Sequence, residues 1–97
     1  MPYISQFRRK SPASSLQEQA TNLADSCVHD GELNYAISRM AHVYLRGNVS
    51  YTNINAVIGV LECVKLELYR MVAAPYEDVK RNENGPVLLE GDDDSQD

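Results

Sequence analysis

The chain reads as all-α: a small bundle of three helices, with room for a short fourth, built around a long third helix. Three observations predict this. Apolar residues recur at three- and four-residue spacing through most of residues 15–74, the period of a helix. Helix-starting and helix-stopping residues punctuate that pattern at Ser15, Gly31, Gly47 and Pro75. A hydrophobic content of 43% in 97 residues is that of one globular domain.

Residues 1–14 are expected to form an extended basic arm: Pro2, Tyr3, Ile4 and Phe7 precede Arg8-Arg9-Lys10 and the Ser11-Pro12 break. The helical domain then covers 15–85. Ser15-Leu16-Gln17-Glu18 has the form of a capping box, so the first predicted helix begins there. Its apolar residues Leu16, Ala20, Leu23, Ala24 and Cys27 make one narrow stripe. Asp30-Gly31 closes it, with Gly31 in the left-handed conformation and Asp30 available to cap the next helix. The second, over about 32–46, gathers Leu33, Ala36, Ile37, Met40 and Tyr44 on one face, and Gly47-Asn48 stops it. Ser50 or Thr52 caps the third, which runs to about Ala74. There Pro75 ends it, kinks it or opens a short fourth over Tyr76–Arg81. Residues 86–97 form an acidic flexible tail.

The third helix carries the most information. Ile54, Val57, Ile58, Val60, Leu61, Val64, Leu68, Met71 and Val72 cover more than half of its circumference. Either it is a central strut with helices on two sides, or its remaining face meets another copy, and self-association is the favoured reading. Gly59 costs about 1 kcal/mol against Ala in a helix interior, which a close approach of another helix would explain.

The net charge of −5 comes from 14 acids and 9 bases, but five acids (Glu90, Asp92, Asp93, Asp94 and Asp97) lie in the last eight residues. Residues 1–89 are therefore neutral, which argues against a body that wraps nucleic acid by bulk charge. Cys27 and Cys63 are not a secreted disulfide framework, and the N-terminus lacks the apolar stretch of a signal peptide. Glu62, Lys65, Glu67 and Arg70 interrupt the longest apolar stretch, so no membrane span is expected. A cytoplasmic protein is expected.

Few residues carry chemistry. Asn55, Glu62, Lys65 and Tyr69 line one edge of the apolar arc of the third helix, with Tyr76 on the same line if the helix continues past Pro75. This strip is read either as a solvated edge or as a half-buried polar line that holds a ligand or subunit partner. Glu67 and Arg70 stand on the other side. A metal-dependent nucleotide pyrophosphohydrolase is an alternative through Glu32, Glu62 and Glu67, but Glu62 and Glu67 are about 140° apart on the helix. Zinc ligation by Cys27, His29, His42 and Cys63 lacks a ligand spacing, so no metal and no cofactor are expected. A helix-turn-helix reading of residues 45–55 would present Tyr51, Thr52, Asn53 and Asn55, with Arg8, Arg9, Lys10, Arg39 and Arg46 on phosphates. Nucleic acid is nevertheless not the expected partner.

The run Gly31-Glu32-Leu33-Asn34-Tyr35-Ala36-Ile37, then Tyr51-Thr52-Asn53-Ile54-Asn55, Gly59–Arg70 and Pro75-Tyr76-Glu77-Asp78-Val79-Lys80, resembles a family of short bacteriophage and prophage proteins of unknown function. The likeness covers about residues 31–85 together with the Met-Pro-Tyr-Ile start and Arg8-Arg9. It makes Asn34, Tyr35, Asn55, Glu62, Lys65, Glu67, Tyr69, Arg70, Tyr76 and Glu77 the candidate binding positions, with no catalytic residue among them. The expectation is a non-enzymatic phage accessory protein, a small homo-oligomer that inhibits or sequesters a host protein or a small nucleotide signal in counter-defence.

Overall fold

Short polar side chains start most of the helices, and two glycines stop them. The computed structural model describes residues 2–11 and 15–88. The Pro12 break and the acid-rich stretch from Glu90 onward therefore lie outside the described residues. Helices α1 (Gln6–Lys10), α2 (Leu16–Ser26), α3 (Asp30–Leu45), α4 (Tyr51–Leu68) and α5 (Ala74–Asn84) follow in order, with a π-helical turn, Tyr69–Ala73, between the last two. No strand occurs among the described residues, and helix runs unbroken from Tyr51 to Asn84. The protein is a small all-α fold with a long final helical stretch. No described helix is long and apolar enough to cross a membrane. The chain divides into two units, Met1–Cys63 and Val64–Asp97.

In the first unit, the N-terminal arm is not wholly extended as expected. The Ser5 hydroxyl accepts the Arg8 N–H at 3.3 Å and starts α1, while the Arg9 Nε–H donates to the Ile4 carbonyl at 2.8 Å. Ser15 caps α2 as the sequence predicts, accepting the Glu18 N–H at 3.1 Å. Its own hydroxyl donates to the Arg9 carbonyl at 3.1 Å, which ties the start of α2 to α1, and the two helices lie against each other.

The α2–α3 junction differs from expectation. α2 ends at Ser26, and Gly31 sits inside the first turn of α3 without a positive φ. Asp30 is the first helical residue, not the cap. The start of α3 is held by Glu32 instead: one carboxylate oxygen accepts the Val28 N–H at 2.7 Å, and the other lies 3.5 Å from His29 Nε2. A carboxylate there also opposes the positive end of the helix dipole. A Cβ at position 31 would stand 3.3 Å from the His29 imidazole, so a larger residue there requires that exposed ring to give by a few tenths of an ångström.

α3 stops where expected, with Gly47 at φ +77°, a conformation that favours glycine. The loop beyond it is fastened at both ends. The Asn48 N–H reaches the Leu45 carbonyl at 3.0 Å, and Asn53 Nδ2 donates to the Asn48 carbonyl at 2.8 Å. Ser50 then caps α4 by accepting the Asn53 N–H at 3.1 Å.

In the second unit, Pro75 neither ends nor breaks the helix. It has no N–H to donate, and in α geometry its ring would collide with the carbonyl of Met71, four residues back. The chain widens to a π turn instead, in which the Ala74 N–H bonds the Tyr69 carbonyl five residues back. The extra residue rotates everything beyond it by about 100°, so Tyr76 leaves the line of Tyr69 on which the sequence placed it. The fourth predicted helix is correspondingly longer than 76–81. α5 ends at Asn84, where Gly85 takes φ +89° and its N–H caps the Arg81 carbonyl at 2.8 Å.

Burial is the largest departure. None of the described residues is buried. On α3 the expected inner residues Leu33, Ile37, Met40 and Tyr44 are all exposed, as are Ile58, Val60 and Leu61 on α4. A Cβ at Gly59 would meet nothing within 4 Å among the described residues.

Two stability changes follow. Pro75→Ala removes the need for the π turn and should stabilise the helix by about 1–3 kcal/mol. It would be read as a higher thermal midpoint by circular dichroism at fixed protein concentration, and a lower midpoint would show that another contact sets the turn. Glu32→Ala should cost about 1 kcal/mol through loss of the Val28 acceptor, while Glu32→Gln keeps an acceptor oxygen and loses less. Urea unfolding separates the two variants, and equal losses would assign the effect to charge alone.

Candidate functional site

The candidate positions fall in both units, Met1–Cys63 and Val64–Asp97. In the first unit, Asn34 and Tyr35 lie on α3, where Asn34 Oδ1 accepts the Ser38 hydroxyl at 3.3 Å and Tyr35 is 68% exposed. Asn55 and Glu62 lie on α4, and both are exposed. Residues with a local structural duty are also identified. Glu32, offered for metal chemistry, has its carboxylate engaged at the start of α3. Asn53, offered for base contacts, turns its amide back onto the loop before α4. Arg9, offered for phosphate, reaches the Ile4 carbonyl. Cys27, His29, His42 and Cys63 are not brought together, and among the described residues no group of three or more His, Cys, Asp or Glu is placed to hold a metal ion.

In the second unit, Lys65 and Glu67 lie at the end of α4, with Glu67 half-buried, and Tyr69 and Arg70 lie in the π turn. Here the structure does bring side chains together. Tyr69, Ala74, Glu77, Arg81, Asn84 and Val87 are among the residues lining an open groove of about 490 Å³ along one face of α5. The spacing of 74, 77, 81 and 84 places those four on successive turns of that face. Tyr69 and Glu77 were among the sequence candidates, whereas Arg81 and Asn84 were not. Their signal was present in the helical spacing from Glu77 once α5 was known to continue to Asn84.

Tyr76 lies apart from this groove, with the Lys80 ammonium 5.7 Å from its ring centroid. Lys80 also pairs with Glu83 at 3.4 Å, and Arg81 with Asp78 at 3.6 Å. These exposed i,i+3 pairs contribute a few tenths of a kcal/mol at most, so they orient side chains more than they stabilise α5. The groove combines a phenol, a carboxylate and a guanidinium around apolar Ala74 and Val87. That chemistry suits binding a polar surface or a mixed-charge side chain.

Among curated proteins none matches the chain, and among solved structures none does. The family described as a domain of unknown function, DUF6899, matches residues 1–87. The match takes in α1 and α2, which the sequence resemblance had covered only in part, and it includes every candidate position from Asn34 to Glu77. The chain belongs to the DUF6899 family.

Proposed function

We propose that the protein is a non-enzymatic phage accessory protein of the host cytoplasm, which assembles as a small oligomer and inhibits or sequesters a host component by stoichiometric binding. The observation that carries this reading is the placement of its aromatic side chains. All six tyrosines are more than half exposed, from Tyr3 at 52% to Tyr51 at 88%, and Phe7 is 80% exposed. Tyrosine provides a large, rigid contact area with a polar tip and dominates the energetics of binding surfaces. A chain that keeps every aromatic ring at its surface has that contact area accessible to a partner.

The candidate positions suit two kinds of host component, a protein surface or a small nucleotide signal. Tyrosine rings stack on bases, and Arg and Lys pair with phosphates. Counter-defence is the setting in which such one-to-one binding suffices without turnover. Size exclusion with light scattering on the full chain, followed by affinity capture from host lysate with mass spectrometry of proteins and small molecules, tests it. The expected result is a multiple of the single-chain mass and a companion recovered in stoichiometric amount. A strict monomer that recovers no companion would overturn the proposal.

A further inference from the structure

The sharpest separation of charge in the first unit lies at α1. Residues 1–17 hold three bases, Arg8, Arg9 and Lys10, and no acid. The first acid is Glu18, in the opening turn of α2, and the other acid of that helix, Asp25, stands about 10 Å further along it. The same short segment carries two exposed rings, Tyr3 at 52% and Phe7 at 80%. These groups sit on a fastened element. Ser5 caps α1, the Arg9 Nε–H donates to the Ile4 carbonyl at 2.8 Å, and the Ser15 hydroxyl ties the Arg9 carbonyl to the start of α2 at 3.1 Å. Arg8 and Lys10 are exposed, and Arg9 is half-buried.

We infer that α1 and the residues just before it form a contact surface for single-stranded nucleic acid. Charge is the first argument. Three consecutive cations with no acid among the first 17 residues match the closely spaced negative charges of a phosphodiester backbone. The rings are the second. A single strand exposes the faces of its bases, any of which stacks on an aromatic side chain, so such surfaces combine cations along the backbone with rings beside them. Arginine adds its own planar group, which stacks as well as pairs with phosphate. Other anionic partners fit less well. A duplex hides its base faces and rewards bulk positive charge, which residues 1–89, neutral overall, do not offer. An acidic peptide would use the cations and leave the rings idle. A membrane surface calls for a longer apolar face than a five-residue helix presents. This inference needs only one chain and stands apart from the oligomeric reading above.

The test is fluorescence anisotropy of the full chain with a labelled oligothymidylate of about eight nucleotides, at salt from about 20 to 200 mM. The expected result is saturable binding whose log affinity falls against log salt with a slope of about −1.4 to −2, the release expected of two or three phosphates on a single strand. Phe7→Ala should weaken binding about tenfold, and Phe7→Leu nearly as much, because leucine keeps an apolar contact but cannot stack. Lys10→Gln should make the slope shallower by about 0.7. Circular dichroism checks that the variants keep their helices, and the slope of Lys10→Gln decides the matter even if the Phe7 variants do not. No binding at the lowest salt, an affinity indifferent to salt, or equal affinity for a duplex of the same length overturns the proposal. So does a folded Phe7→Leu variant of native affinity, which would make the ring a plain apolar contact. Co-sedimentation with phosphatidylserine-containing vesicles, in place of oligonucleotide binding, puts the segment on a membrane and overturns it too.

Discussion

Among the described residues no side chain is buried, and the energetics of the helices turn on that shortfall. Ordering a residue costs about 1–2 kcal/mol of backbone entropy, and only apolar burial offsets such a cost on the scale of a domain. Here the local part of folding is complete and the collective part is not. Each helix has its backbone bonds, and serines or a glutamate fasten the starts of α1 to α4. Such caps contribute about 1 kcal/mol each. Helices of 11 to 18 residues remain marginal in water on those terms alone. In the oligomer proposed above, folding and association would be one equilibrium, and apparent stability would rise with protein concentration.

Charge does not fill the gap. His29–Glu32, Lys80–Glu83 and Arg81–Asp78 are exposed i,i+3 pairs, screened by water and salt. Their use is geometric. His29 and Glu32 fix the entry into α3, and Lys80 sits over Tyr76. A neutral body with such pairs on its surface leaves the apolar faces of α3 and α4 as the dominant source of free energy.

What was legible in the sequence was whatever is decided within a few residues. Ser15 and Ser50 announce helix starts because a hydroxyl at that place has one obvious acceptor role, and Gly47 announces a stop because the left-handed turn excludes most other residues. The resemblance to an uncharacterised family was likewise readable from motifs, and the family match covers residues 1–87. Gly31 misled because the same residue that permits a turn also makes room for a ring, and the ring of His29 is positioned by Glu32 one residue further on. The α1 turn was hidden by its brevity. The apolar stripes are visible in the sequence, but a stripe does not say what, if anything, packs on it, and on α3 and α4 its residues are exposed. Of the candidate positions, Tyr69 and Glu77 share a groove, whereas Arg81 and Asn84 became visible only once α5 was seen to extend to Asn84.

Pro75 shows how one local constraint reaches the binding chemistry. An α-helical path through residue 75 would leave Tyr69 and Tyr76 seven residues apart on nearly the same line, giving one aromatic edge. The proline forbids that path, and the π turn that replaces it adds a residue before α5 begins. The two tyrosines are thereby sorted onto different sides. Tyr69 lines the groove with Glu77 and Arg81, and Tyr76 lies under the Lys80 ammonium. Lys80 also borders the groove, so the cation that meets Tyr76 stands between the two aromatic surfaces. The second unit thus carries Tyr69 and Tyr76 on separate faces because of a single residue that cannot donate a hydrogen bond.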